Sequence, residues 1–140
     1  MQHQLPRSPI SGQKVLYIIR GFAPRSGSVI ARALAGKDVF SEQLFHDFDY
    51  AQNDARIYTE SVIWCLESLK SVLTSDKKVA AVYNEFATTS AVHPYASLAR
   101  DFGWVPFIVD CKTMDVKEEQ KLHADEYRNR WENIWITQMK

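Results

Sequence analysis

At 140 residues, 46% hydrophobic and 24% charged, the chain has the size and composition of one globular domain and can bury a core without disulfides or metals. Its 17 basic and 17 acidic side chains cancel, which argues against a bulk electrostatic nucleic-acid binder but leaves a local basic pocket open. No apolar run approaches the roughly 20 residues that span a bilayer, and the polar N-terminus has no signal-peptide core, so the expectation is a cytoplasmic protein without a membrane partner.

Residues 1–13 carry prolines, serines and a glycine without apolar periodicity and read as a loose arm, leaving 14–140 as the domain. Val15 to Ile19 is a continuous apolar run of strand length, as in a parallel sheet buried on both faces. After Arg20-Gly21 comes a loop with Pro24, Ser26 and Gly27. A helix is then predicted over 29–35, with Gly36 as its C-cap. Residues 38–54 mix aromatics with acids and give no assignable period. Residues 55–74 read as a long amphipathic helix whose apolar stripe includes Ile57, Trp64, Cys65, Leu69 and Leu73.

Val79 to Tyr83 is a second buried-type strand. A short helix is predicted from His93 to Phe102, with Pro94 in its first turn and Gly103 at its end. Val105 to Val109 is a third strand. Residues 116–139 read as a charged helix with Tyr127, Trp131, Ile134, Trp135 and Met139 on one side. Strands alternating with helices predict a single-domain, three-layer α/β/α fold with a mostly parallel sheet.

The candidate chemistry lies after the first strand. A phosphate loop wraps phosphates in backbone N–H groups at a helix N-terminus, reaches them with a lysine, and holds magnesium with a Ser/Thr hydroxyl. On the pattern G-x-x-x-x-G-K-[ST], Gly21 takes the first glycine, Ser26 the second, Gly27 the lysine and Ser28 the magnesium hydroxyl. The length fits and two residue types do not. Arg25 is the basic residue inside the segment, two positions before the lysine.

Two stretches carry a family resemblance: KVLYIIRGFAPRSGSVIARALAG and NEFATTSAVHPYASLARDFGWVPFIVD. The first resembles the opening of the polynucleotide-kinase-like (zeta-toxin-like small kinase) group of P-loop kinases, which phosphorylate 5′-hydroxyls with ATP. In the second, Asn84, Thr88, Pro94, Tyr95, Leu98, Ala99 and Gly103 fit the group's pattern. ESVIWCLESLKSVL and HADEYRNRWENI resemble its intervening and closing helices, so the resemblance spans 14 to about 135. It implies a P-loop NTPase-like fold, with Gly21, Ser26, Gly27 and Ser28 at the nucleotide and Asn84 and Glu85 at the substrate. It also implies a general base among Glu42, Asp47 and Asp49. The departures are Gly27 in place of the lysine, Glu85 in place of a threonine, and a short lid holding Lys112, Lys117 and Lys121.

The other polar residues carry less. His46, His93 and His123 have no metal-ligand spacing, and no zinc is expected. Cys65 and Cys111 read as two buried thiols. The damaged loop favours a degenerate kinase-like protein without phosphoryl transfer, acting as a binding or regulatory module, with an unknown protein as the favoured partner. Nucleotide or nucleic acid enters by resemblance only. Two alternatives stand beside it. One is an active kinase of a nucleic-acid 5′-hydroxyl or small hydroxyl substrate. It would use ATP and magnesium on Ser28, with Asp47 or Asp49 as base and Arg25 or a lid lysine as the cation. The other is an oligomeric interaction domain using Trp131 and Trp135.

Overall fold

A computed structural model describes residues 12–21, 24–51, 53–111 and 134–139. The elements are β1 (Val15–Arg20), α1 (Pro24–Ala35), β2 (Val39–Phe40), a 3₁₀ turn (Glu42–Leu44), α2 (Phe48–Ala51), α3 (Ala55–Leu73), β3 (Val79–Tyr83), α4 (Thr89–Asp101), β4 (Val105–Cys111) and β5 (Ile134–Gln138). The strands form one sheet in the order β2-β3-β1-β4-β5. Pairings among the first four are parallel, and β5 runs antiparallel to β4. The chain is therefore an α/β protein with a mixed, mostly parallel sheet.

The apolar run of β1 is explained by its central place. Leu16 and Ile18 point to α3 and α4, where they meet Cys65, Leu69, Tyr95 and Ala99. Val15, Tyr17 and Ile19 point to the other face, where Ile30, Ala31 and Ala35 of α1 cover them. Both faces of the strand are dry, so no alternation is needed. The buried stripe of α3 is Ser61, Cys65, Leu69, Val72 and Leu73, a helical period that fixes its packed side. Asp54 caps this helix by accepting from the N–H groups of Arg56 and Ile57 at 2.9 and 3.3 Å. Behind the sheet, Trp104 is 2% exposed and donates its indole N–H to the Leu73 carbonyl at 3.0 Å.

Three sequence expectations are corrected. Residues 134–138 are a strand, not part of a helix. Ile134, Trp135, Ile136 and Thr137 are β-branched or aromatic, and the sheet edge at β4 gives them hydrogen-bonding partners that helical periodicity ignores. The rest of the expected 116–139 helix, with Tyr127 and Trp131, lies outside the described residues, as do His123, the lid lysines and residues 1–11 of the arm. The second correction is α4, which begins at Thr89 rather than His93. Thr88 supplies the cap, accepting from Ala91 N–H at 3.3 Å, and leaves Pro94 in the helix interior. The third is α1, which begins at Pro24 rather than Val29. Proline is well placed at a first helical position, where its missing N–H has no intrahelical partner to lose.

The topology has a switch point at the carboxyl ends of β1 and β3, where a crevice is expected. The helix after β1 packs on one face of the sheet and the helix after β3 on the other, yet β1 and β3 are neighbours. In open α/β sheets, ligands bind outside the carboxyl ends of strands where connections part in this way. Among the described residues, no helix is long and apolar enough to cross a membrane.

Candidate functional site

The ends of β1 and β3 are tied together by backbone. Asn84 N–H donates to the Ile19 carbonyl at 3.2 Å, and Gly21 N–H to the Glu85 carbonyl at 3.1 Å. Gly21 has φ +78, and a Cβ there would stand 3.4 Å from Asp110 Oδ1, so a side chain would meet both backbone strain and a carboxylate. Phe86 has φ +47, uncommon for a bulky residue. Its buried ring sets its edge on Tyr95 at 5.4 Å and 77°, and this packing holds the strained turn.

Beneath the turn lies a buried polar chain. Asn84 Oδ1 accepts from Ser41 Oγ at 3.0 Å and from the Glu42 backbone N–H at 2.8 Å. Glu42 Oε2 accepts from the Tyr95 hydroxyl at 2.5 Å. Cys65 adjoins the same hydroxyl. Glu42 is 5% exposed, Asn84 6%, and Ser41, Tyr95 and Cys65 none. The Asn84 amide Nδ2 is buried without a hydrogen-bond partner among the described residues. An unpartnered buried donor costs about 1–3 kcal/mol, the scale at which a ligand acceptor becomes worth binding.

Burial raises the Glu42 carboxyl above its ordinary value, and the Tyr95 hydrogen bond draws it partly back. Burial pushes the Cys65 thiol up to about 12, with the Glu42 charge adding to it and Tyr95 opposing it. Two outcomes are expected. Because the folded chain binds the Glu42 proton more tightly than the unfolded one, that stability is fully present below the ordinary value of 4.5 and is lost as pH rises through the folded value. Glu42→Gln keeps an acceptor for Tyr95 and removes the charge. Its Tm should exceed that of the parent at neutral pH, and the two should converge below pH 4.5 in thermal unfolding followed against pH. Cys65 should stay unmodified by iodoacetamide at neutral pH until the chain is unfolded, as read by peptide mapping.

The residues singled out in the sequence separate into groups. Gly21, Asn84 and Glu85 meet at the crevice, and Glu42 joins them from the end of β2. Ser26 is buried, and Gly27 packs on the Tyr83 ring, where an added Cβ would lie 3.4 Å from Tyr83 Cβ. Ser28 turns to a different pocket with Arg32 and Lys37. Arg25 lies in the first turn of α1, and its side chain is outside the described part of the structure. Asp47 pairs with His46 at 3.2 Å, and Asp49 is exposed at the start of α2. Neither is hydrogen-bonded to the Asn84 group. Among the three carboxylates considered as base, Glu42 is the one bonded to the Asn84 group.

Sequence reasoning missed Ser41 and the link from Glu42 through Tyr95 to Cys65. The available signal was the dipeptide Ser41-Glu42 directly after Val39-Phe40, a polar pair at a strand's carboxyl end. Burial first, then the charges of Glu42 and Glu85, raise the partly exposed Tyr58 hydroxyl above its ordinary value. No group of three or more His, Cys, Asp and Glu side chains suited to a metal occurs among the described residues. No family model, curated protein or solved structure matches the chain.

Proposed function

We propose that this chain is a degenerate P-loop-kinase-like domain, with an NTPase-like three-layer frame, that works as a binding or regulatory module without transferring phosphoryl groups. The observation that carries this reading is Gly27. At the place where a phosphate loop has its lysine, the backbone lies against the Tyr83 ring. The last five residues of the matched segment, from Pro24 to Ser28, belong to a helix and not to a loop wrapped round an anion. Phosphoryl transfer is mostly positioning and charge stabilisation, so a site without its cation forfeits most of its catalysis. Glu42 and Glu85 bring carboxylates to the strand ends, which disfavours a polyphosphate there.

The binding side is better supported than the catalytic side. Asn84 presents a buried donor without an acceptor among the described residues, held in place by Ser41 and Glu42. A protein segment offering a backbone carbonyl satisfies such a donor as well as a small molecule does. A second reading, the active kinase, draws support from Glu42, a buried carboxyl of raised basicity at a strand end. Calorimetric titration with ATP separates the two. The module reading expects no gain in ATP affinity from magnesium, and magnesium-dependent binding would overturn it.

A further inference from the structure

A pocket of about 580 Å³ runs along α1 beside the β2 edge of the sheet, within the size range of small-ligand sites. Ser28 and Arg32 are one helical turn apart on the same side of α1 and form one wall, and Lys37 follows just past the helix end. Val39, the 57% exposed Leu44 and Tyr83 at the end of β3 supply the apolar part of the lining. Arg32 and Lys37 are exposed, and neither side chain makes a hydrogen bond or ion pair with a described residue. The neighbouring acid, Asp38, is turned to Lys77 at 3.5 Å, and among the described residues no acid lines the pocket. In a chain of zero net charge, this is a concave site with two cations unpaired by any described residue, a hydroxyl and an apolar side.

We propose that this pocket binds a small phosphomonoester with a planar, largely apolar body, of the size of a mononucleotide. Two cations match the dianionic phosphate better than the single charge of a carboxylate. The Arg32 fork suits two phosphate oxygens and the Lys37 ammonium a third, with Ser28 as a neutral donor. The body lies on Leu44, Val39 and Tyr83. Of the residues assigned to the phosphate loop, Ser28 alone is shared, so the site stands whether or not the reading of the crevice does.

The test uses the full chain, titrated with AMP, adenosine and inorganic phosphate, each without magnesium, by calorimetry and by NMR. AMP is expected to bind, with adenosine and inorganic phosphate each weaker by about tenfold or more. Its shifts should fall on the Val39 and Leu44 methyls and the Tyr83 ring. The double variant Arg32→Gln/Lys37→Gln should weaken AMP by about tenfold or more while melting at the parent temperature, since both side chains are exposed. Four results would overturn the proposal: no AMP binding at millimolar concentration, equal binding of adenosine or of inorganic phosphate, an unchanged affinity in the double variant, or shifts confined to Gly21, Asn84 and Glu85. The shift map is read on the unmodified chain and does not depend on the variant folding.

Discussion

Replacing Asn84 with alanine is expected to destabilise the protein by about 2–3 kcal/mol, a fall in Tm of about 6–12 °C. The side-chain oxygen of Asn84 is the acceptor for two buried donors, Ser41 Oγ and Glu42 N–H. Each donor left without a partner costs about 1–3 kcal/mol, and removing the unpartnered Nδ2 returns part of that sum. The substitution also frees the 3₁₀ turn that sets Glu42 in the crevice, so the loss should spread to the Glu42–Tyr95 bond. Asn84→Asp separates the roles. It keeps one acceptor oxygen but adds a carboxylate beside Glu42, so its deficit should grow as pH rises, whereas that of Asn84→Ala should depend far less on pH. Thermal unfolding of both variants across pH reads this out. An Asn84→Ala variant as stable as the parent would mean that the network contributes nothing to holding the crevice.

The second large effect is expected at Gly27. Restoring the missing lysine by Gly27→Lys should not restore a kinase. It should instead cost about 1–3 kcal/mol, because the stem must pass the Tyr83 ring in a packed helix–strand contact. Gly27→Ala is the control. Its methyl sits in ordinary contact with Tyr83 at 3.4 Å, and alanine in place of glycine in a helix stabilises by about 0.5–1 kcal/mol. Opposite signs for the two substitutions, measured by denaturant unfolding, identify position 27 as a packing position. A lysine variant that is as stable as the parent and gains ATP turnover would identify it as an emptied catalytic one.

Much of the frame was legible because parallel strands buried on both faces are continuous apolar runs. Val15 to Ile19, Val79 to Tyr83 and Val105 to Val109 stand out against their flanks and form the three inner strands. The long helix showed itself by period, and Gly103 marked the end of α4 through its φ of +79. What stayed illegible was short or set by partners. Between 38 and 54 the chain forms a two-residue strand, a 3₁₀ turn and a four-residue helix, each briefer than any period can register. Strand β5 exists through its pairing with β4, which no local pattern encodes.

The site was half legible for similar reasons. Gly21, Asn84 and Glu85 were singled out at strand ends, and the topology brings them together. The Ser41–Asn84 and Glu42–Tyr95 bonds join residues 43 and 53 positions apart, so that network is a product of the fold. Nothing in a linear reading foretold that Gly27 faces Tyr83, since a glycine before a serine fits a loop and a helix packed on a sheet equally well.

The most direct test of the central claim is a transfer assay. The full chain is incubated with γ-labelled ATP, magnesium and a 5′-hydroxyl oligonucleotide, and the label is followed. No labelled oligonucleotide and no ADP above the protein-free control is the expected result. Magnesium-dependent transfer that disappears in Ser28→Ala would contradict the account and make the chain a working kinase with a different cation.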